Sequence, residues 1–356
     1  MEFNHFLSSY FPDPSYGGHR LFADMLEQAQ AADRLGYHGV TIPEHHLINI
    51  LLTPSPLQMA VKVASITEHV EVVTSVAVLP IRDMRVFAGE VTQADILTNG
   101  RLVLGVGRGA FAYEIERFGV RMEETRAKFD ESVEVLIALL SQEEVGWSGK
   151  YYNFQPITIM PRPLTEPMPR MMIAVMNPSG IAACTRRGFH IQTTPLAGKQ
   201  ELFKSQIAAH KEAKAAMGTK GEHLRIMMSR VTYCAEDEAE AMEILSRAYE
   251  YYGRFDNVFT GPGEVENGCI LALPCIQSIE ELEQNLLIGT PNQLIDRMAE
   301  YHEAGIDEYI LNSNLGQPQS QHLEAMQRFA EEVMPNFGGP AGVKKQHHFE
   351  DIEGHA

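Results

Sequence analysis

The chain has 356 residues, of which 29 are Lys or Arg and 47 are Asp or Glu, so its formal net charge is −18. A surface this acidic argues against nucleic acid or an anionic membrane as the main partner. No apolar run reaches the ~18 residues that a bilayer-spanning helix needs, and the four cysteines include no Cys-x-x-Cys pair. We therefore expect a cytoplasmic protein with reduced thiols and a sizeable hydrophobic core.

Segments with strand and helix patterns alternate along the whole chain. About eight such βα units predict a (β/α)8 barrel of the TIM type. A doubly wound open sheet would show the same alternation, but the first βα turn lacks the Gly-x-Gly-x-x-Gly pattern that such a sheet often carries. Apolar, β-branched runs predict strands at 3–7, 39–42, 70–79, 101–106, 171–175, 226–233 and 308–311.

The domain organisation is expected to be simple. We predict one barrel domain over residues 1–337 and a flexible tail over 338–356, where apolar residues are scarce. The main insertion is predicted at 253–288, and it contains Gly-Pro-Gly as well as two of the four cysteines. Connections of this length are usually either functional lids or disordered segments.

The most informative polar residues follow the predicted strands, where the active site of such a barrel is built. The second strand is followed by Glu44, His45 and His46. Imidazole suits proton transfer near neutral pH, and a neighbouring carboxylate can orient the ring. A purely structural histidine pair is the simpler alternative. Metal binding is not expected, because adjacent residues of an extended chain point in opposite directions.

Two further strand ends suit an anionic ligand. The turn around Arg108 has three glycines in five residues, so a ligand can approach the backbone closely beside a fixed positive charge. Asn177 is predicted to cap a helix, leaving the backbone N–H groups of Ser179 and Gly180 free to bind phosphate. A tight turn and an ordinary helix cap would explain each segment alone. Together with His45, their order along the chain predicts a pocket for a phosphorylated cofactor.

Several segments resemble the luciferase-like flavin monooxygenases, a family that includes the bacterial luciferase α subunit. The resemblance extends over almost the whole chain, to about residue 337, and the spacing between the segments fits as well as the segments themselves. The matching segments are Glu44-His45-His46, Val78-Leu79-Pro80, Gly107-Arg108-Gly109 with Arg117-Phe118-Gly119, and Gly289-Thr290-Pro291 with Gly305-Ile306-Asp307 and Val333-Met334-Pro335.

This resemblance implies a two-component monooxygenase that uses reduced FMN (FMNH2) delivered by a separate NAD(P)H:flavin reductase. With O2 as cosubstrate, the family forms a C4a-(hydro)peroxyflavin and inserts one oxygen atom into a small organic substrate. A homodimer, or a heterodimer with a paralogue, is also implied. Two other functions remain open: a deazaflavin-dependent hydride-transfer oxidoreductase and a non-catalytic subunit like the luciferase β chain.

The resemblance also implies roles for individual residues. His45 and Glu44 are expected to be catalytic. Ser75 and Val76 fall where the family has a non-prolyl cis peptide facing the flavin ring, and Arg108 falls beside the flavin phosphate. We further expect three aromatic residues at or beyond strand ends to line the substrate pocket. The expected cofactor-binding residues are Ser75, Val76, Arg108, Met176, Asn177, Ser179 and Gly180, and the expected pocket residues are Phe6, Tyr10 and Phe111.

The chain departs from the luciferase α subunit at three places. Gly107 stands where that subunit has a reactive cysteine, and Met176-Asn177 and Gly180 replace its Glu-Ser and Thr at the phosphate turn. The segment 47–52 is more apolar. We therefore expect the phosphate to depend more on backbone N–H groups and Arg108. The more apolar segment 47–52 argues against light emission and a long-chain aldehyde substrate, and it leaves the flavin chemistry as the expectation.

Overall fold

The computed structural model describes residues 1–338, so the predicted tail lies outside the described residues apart from Gly338. Eight parallel strands pair in chain order and the first pairs with the last, which closes the sheet and confirms the (β/α)8 prediction. The barrel strands are β1 Glu2–Phe6, β2 Gly39–Ile42, β3 Glu71–Thr74, β4 Leu102–Gly107, β5 Met171–Ala174, β6 His190–Thr193, β7 Ile226–Cys234 and β8 Glu308–Asn312.

Helices surround the barrel and cover the outer faces of its strands. In the first of them, Leu21, Met25 and Ala29 recur every four residues and are buried, and Gly36 ends the helix in the left-handed conformation (φ 80°). The helices are α1 Gly18–Leu35, α2 Pro56–Ala64, α3 Met84–Leu97, α4 Ala112–Arg117, α5 Thr125–Ser141, α6 Pro178–Arg186, α7 Gln200–Ala216, α8 Glu238–Phe259, α9 Ile279–Asn285, α10 Pro291–Ala304 and α11 Gln319–Arg328.

Alternation along the strands separates the barrel interior from the layer beneath the helices. In β8, Ile310 packs with interior residues of other strands, whereas Tyr309 and Leu311 pack in the outer layer with the helices. Asn312, two residues beyond Ile310, ends the strand. Interior side chains at the C-terminal strand ends therefore meet in one place, which is where a site can form.

Two predictions about strands were incomplete. β6 and the helix after it were not predicted, because His190–Thr193 is only four residues long and Ile191 is its one apolar residue. The predicted continuous strand 70–79 is instead interrupted after Thr74. Ser75 and Val76 are joined by a cis peptide bond, and the chain continues as the short strand Ala77–Val78.

The predicted start of the insertion at residue 253 was wrong, because α8 continues to Phe259. Gly253 lies inside this helix, where an added Cβ would come within 2.2 Å of the Leu273 carbonyl oxygen. The glycine thus allows the insertion backbone to pack directly against α8. The rest of the insertion contains the antiparallel pair Val265–Glu266 and Cys269–Ile270, then α9, then the strand Leu287–Gly289, which pairs with β7.

An ion-pair cluster closes the N-terminal end of the barrel. The fully buried Glu308 carboxylate pairs with Arg170 (2.9 Å) and Arg225 (3.0 Å). Glu2 and His38 lie close to Glu308, and the three have the spacing of metal ligands. The two arginines supply the positive charge at this position, so we interpret the cluster as structural. No helix within residues 1–338 is long and apolar enough to cross a membrane, and the four cysteines are free thiols.

Candidate active site

A cavity of about 610 Å³ opens at the C-terminal ends of the barrel strands. It brings together most of the residues predicted from the sequence, although they come from five different strand ends. Ser179 and Tyr10 are the two predicted residues that do not line it. The ten that do are Phe6, Glu44, His45, Ser75, Val76, Arg108, Phe111, Met176, Asn177 and Gly180.

His45 is held in place by Glu114, a residue that the sequence analysis missed. Glu114 Oε1 lies 2.7 Å from His45 Nδ1, and Glu114 Oε2 accepts a hydrogen bond from the backbone N–H of His46 (2.6 Å). The Glu114 side chain is almost completely buried beneath the loop after β2. The face of the His45 imidazole ring stacks on the Phe111 ring, with ring centroids 4.3 Å apart and an interplanar angle of 20°.

These contacts determine which nitrogen of His45 is available for chemistry. A carboxylate at Nδ1 favours the tautomer that carries its proton on Nδ1, which leaves a lone pair on Nε2. Nε2 makes no hydrogen bond to any residue in the described part of the chain, and His45 lines the cavity. The arrangement can therefore accept, hold and return a proton at Nε2.

Glu44 differs from His45, because its carboxylate is fully engaged by the protein. Glu44 Oε1 accepts from Arg82 (2.6 Å) and contacts His46 Nε2 (2.8 Å), while Oε2 accepts from the backbone N–H of Val78 (2.9 Å). The side chain is buried. The predicted catalytic role is thus replaced by a structural interpretation: Glu44 ties the loop after β2 to the segment that follows β3.

One wall of the cavity is formed by the cis peptide Ser75–Val76 together with Gly107 at the end of β4. An added Cβ at Gly107 would lie 2.4 Å from Val76 Cγ2, so Val76 already fills the space that a side chain at 107 would need. This packing accounts for a glycine at the position where the luciferase α subunit has cysteine. The resulting surface presents backbone and small side chains to the cavity.

Arg108 has a free positive charge at the edge of the cavity. Its side chain is exposed, and it forms no ion pair with any carboxylate of residues 1–338. Two other arginines that line the cavity do have acidic neighbours: Arg126 is 3.6 Å from Asp130, and Arg187 is 3.7 Å from Glu134. Arg108 is therefore the best placed of these three to bind an anion.

The N-terminus of α6 lies at the same cavity, and Asn177 caps it as predicted. The expectation of a free N–H at Gly180 was wrong, because Asn177 Oδ1 accepts from that group (2.6 Å). Ser179 donates its hydroxyl to the same oxygen (2.9 Å) and lies outside the cavity lining. What remains for a ligand is the positive end of the helix dipole beside Arg108.

Another part of the cavity lining, here called the aromatic half, comes mainly from α8. Tyr251, Tyr252, Phe255 and Phe259 line it, and the sequence analysis missed them because their spacing is also that of an ordinary buried helix face. Burial raises the pKa of Tyr251 and Tyr252 far above the ordinary value, so both phenols stay protonated. Tyr10 packs behind this layer, 5.2 Å from the Tyr251 ring.

The insertion supports this aromatic half from outside and contributes no residue of 260–288 to the cavity lining. Asn257 on α8 donates to the carbonyls of Glu264 (3.0 Å) and Leu271 (2.8 Å). Asn49, in the loop after β2, accepts from the backbone N–H of Ile270 (3.0 Å). Two buried amides thus fasten the insertion to the helix and to the loop that carries His45.

Arg230 on β7 forms a third set of contacts, which joins the barrel to the loop after β6 and to the end of α9. Its buried guanidinium donates to the carbonyl oxygens of Leu196 (2.9 Å) and Gly198 (3.3 Å) in the loop after β6, and to that of Asn285 at the end of α9. No sequence pattern pointed to this residue. The bonds fix the loops on that side of the cavity relative to the barrel.

Comparison with known proteins agrees with this geometry. The family model described as luciferase-like monooxygenase matches residues 1–308, so the chain belongs to that family. The predicted class of enzyme, a flavin-dependent monooxygenase, is confirmed.

Individual relatives cover nearly the whole chain. It is 30% identical over 328 residues to the oxygenase component of a flavin-dependent trigonelline monooxygenase from Acinetobacter baylyi, covering 89% of this chain and 90% of the relative. It resembles the crystal structure of monooxygenase RslO1 from Streptomyces bottropensis, with a TM-score of 0.82, 26% identity and coverage of 95% and 100%. An F420-dependent secondary alcohol dehydrogenase, 18% identical over 94% of this chain and 98% of its own (TM-score 0.74), shares the fold.

The structural interpretation of Glu44 can be tested by substitution. Glu44→Gln removes the charge that compensates Arg82, and breaking one partner of a buried ion pair costs about 3–5 kcal/mol. We expect a clear fall in the thermal midpoint, measured by circular dichroism. Glu116→Gln, an exposed glutamate on α4, is the matched control and should melt like the wild type. Equal melting of both variants would show that Glu44 does not hold these loops.

Proposed function

We propose that this chain is the oxygenase component of a two-component monooxygenase, which uses reduced FMN and O2 to insert one oxygen atom into a small organic substrate. The observation that carries the proposal is the convergence of His45, the Ser75–Val76 peptide, Arg108 and the α6 N-terminus on one cavity. The relative that is named as an oxygenase component supports a separate reductase as partner.

The residues present fit FMN. The exposed Arg108 guanidinium and the α6 N-terminus offer a fixed cation and a helix dipole for the phosphate. The wall built from Ser75, Val76 and Gly107 offers a surface of backbone and small side chains for a flat ring. When bound, reduced FMN supplies the two electrons with which O2 is activated.

The protein's own groups then have distinct tasks. His45 holds or returns a proton at Nε2, and Glu114 keeps the ring in the orientation that makes Nε2 available. The aromatic half of the cavity keeps water away from the reacting groups. The amides of Asn49 and Asn257 hold the insertion against the outside of this half.

A dimer is part of the proposal. α3 exposes Val86 (63%) and Leu97 (54%), which are three helical turns apart and therefore lie on the same face. Exposed apolar side chains grouped on one face mark a protein contact when they are numerous enough to form a patch. We propose this face of α3 as part of the contact with a second copy of the chain.

The reaction can be tested with isotopically labelled dioxygen. The purified chain is supplied with reduced FMN by a flavin reductase and NADH, together with candidate small organic substrates, and products are analysed by mass spectrometry. We expect one labelled oxygen atom in the product, with no second protein chain besides the reductase. Reduced deazaflavin serves as the control and should give no labelled product.

Two results would contradict the proposal. Substrate reduction by the deazaflavin without oxygen incorporation would favour a hydride-transfer oxidoreductase. Turnover only after addition of a homologous subunit would favour the role of a non-catalytic partner.

Phosphate binding can be tested separately by titration. Arg108→Ala removes a charged hydrogen-bond donor that pairs with no carboxylate of the described residues, and such a bond corresponds to about a 10- to 150-fold change in Kd. We expect this weakening of FMN binding, measured by flavin fluorescence. Lys62→Ala, which removes an exposed cation on α2, should leave Kd unchanged. Equal effects of the two substitutions would mean that the phosphate binds elsewhere.

A further inference from the structure

The aromatic half of the cavity is a continuous surface that begins at His45. Its five rings, Phe111, Tyr251, Tyr252, Phe255 and Phe259, are here called the aromatic wall. Phe111 stacks on His45 and meets Phe255 edge to face at 5.7 Å. Phe255 in turn stacks on Phe259 (5.3 Å) and on Tyr251 (6.0 Å). Each ring is thus held by its neighbours, and the wall presents preformed π surfaces beside the residue proposed to handle the proton.

Asn312 adds a polar oxygen without a partner in residues 1–338 next to the aromatic wall, where its side chain lies within hydrogen-bonding reach of the Tyr251 phenol. Gln192 Oε1 and Thr193 Oγ1, elsewhere in the cavity lining, are also buried without partners in this part of the chain. Asn312 ends β8 two residues after the interior residue Ile310, lines the cavity, and is only 9% exposed. Its carboxamide oxygen is buried and accepts no hydrogen bond from any residue of the described chain. A buried oxygen of this kind costs free energy unless a partner is supplied, and a bound ligand can supply one.

The charge state of the side chains in this region further restricts the chemical class of ligand that can bind there. The five side chains of the aromatic wall are uncharged, since its two tyrosines keep their protons. The Glu44 carboxylate, which also lines the cavity, is already occupied by Arg82, His46 and the Val78 N–H. This half of the cavity therefore offers flat aromatic surface, two neutral phenols and the carboxamide oxygen of Asn312, without a free ionic group among the residues just named.

We propose that the substrate is a neutral, planar aromatic molecule that packs a ring against the aromatic wall and donates one O–H or N–H hydrogen bond to Asn312 Oδ1. This inference rests on the proposed function, because it names the substrate class for the same cavity. Aromatic rings pack favourably on other rings beyond the area they bury, and a donor group on the ligand satisfies the Asn312 oxygen. Asn312 is thereby a specificity-determining residue, placed at the end of β8 and distinct from the groups that bind FMN.

Ligand-observed NMR with three matched probes tests this inference without any turnover. The probes are naphthol, its methyl ether, which lacks the donor, and its fully saturated decahydro analogue, which lacks the flat rings. We expect the wild type to bind naphthol about fivefold more tightly than the ether, the effect of one hydrogen bond. Its preference over the saturated analogue should be about two- to tenfold, the effect of aromatic packing.

Substitutions assign each preference to its residue. Asn312→Leu should remove the preference for naphthol over the ether and leave the affinity for the ether unchanged, which also reports that the cavity is intact. Phe255→Leu should reduce the preference for naphthol over the saturated analogue. Asn153→Leu, which replaces an exposed asparagine in the hairpin after α5, should retain both preferences.

The inference is overturned if the wild type binds the saturated analogue as tightly as naphthol, or if Asn312→Leu keeps the preference over the ether. Either outcome is independent of the oxygenase proposal, since no flavin is present. The absence of labelled oxygen from every product in the turnover experiment would instead overturn the proposed function, whatever the probes bind.

Discussion

The contact between the buried Glu114 carboxylate and His45 is the interaction on which the site depends. Glu114 uses one oxygen for His45 Nδ1 and the other for the backbone of His46, so a single side chain fixes both the ring and the loop that carries it. Glu44, which lies on this same loop, performs a parallel task by joining the loop to Val78 and Arg82 in the segment after β3. Two buried carboxylates therefore preorganise the loops after β2 and β3 before any ligand binds.

The acidity of the chain makes the position of positive charge equally important. With a formal charge of −18, the protein as a whole repels an anionic cofactor, and attraction has to be local. Arg126 and Arg187 have acidic neighbours at the cavity, whereas Arg108 has none among residues 1–338, and α6 directs its positive end to the same cavity. In the proposed function, Arg108 and the α6 N-terminus bind the phosphate, whereas His45, which stacks on Phe111 of the aromatic lining, handles the proton.

The sequence predicted those parts of the structure that depend on local patterns. Strand and helix periodicity indicated the barrel, and residues after the strands indicated where the site lies, since the carboxyl ends of all eight strands meet at one face. Periodicity failed at β6, where Ile191 is the one apolar residue of four. The sequence prediction also failed at α8, where Gly253 suggested the end of the helix. This glycine is instead explained by the insertion backbone, which packs closely against the helix at that position.

Residues that act through contacts distant in sequence could not be predicted in this way. Glu114 lies 69 positions from His45, and Arg230 acts on the carbonyls of two other segments. No local spacing marks either residue. The same limit explains why Glu44 was expected to be catalytic: only the three-dimensional contacts reveal that both of its oxygens are already used.

The most direct test of the account is the tautomer of His45, measured by NMR with isotope-labelled histidine nitrogens and assigned by the signal lost in His45→Ala. We expect the neutral ring of the wild type to carry its proton on Nδ1, and the neutral ring in Glu114→Gln to lose this preference. The result that would contradict the account is a neutral wild-type ring that carries its proton on Nε2, or a tautomer of the neutral ring that is unchanged when Glu114 is replaced.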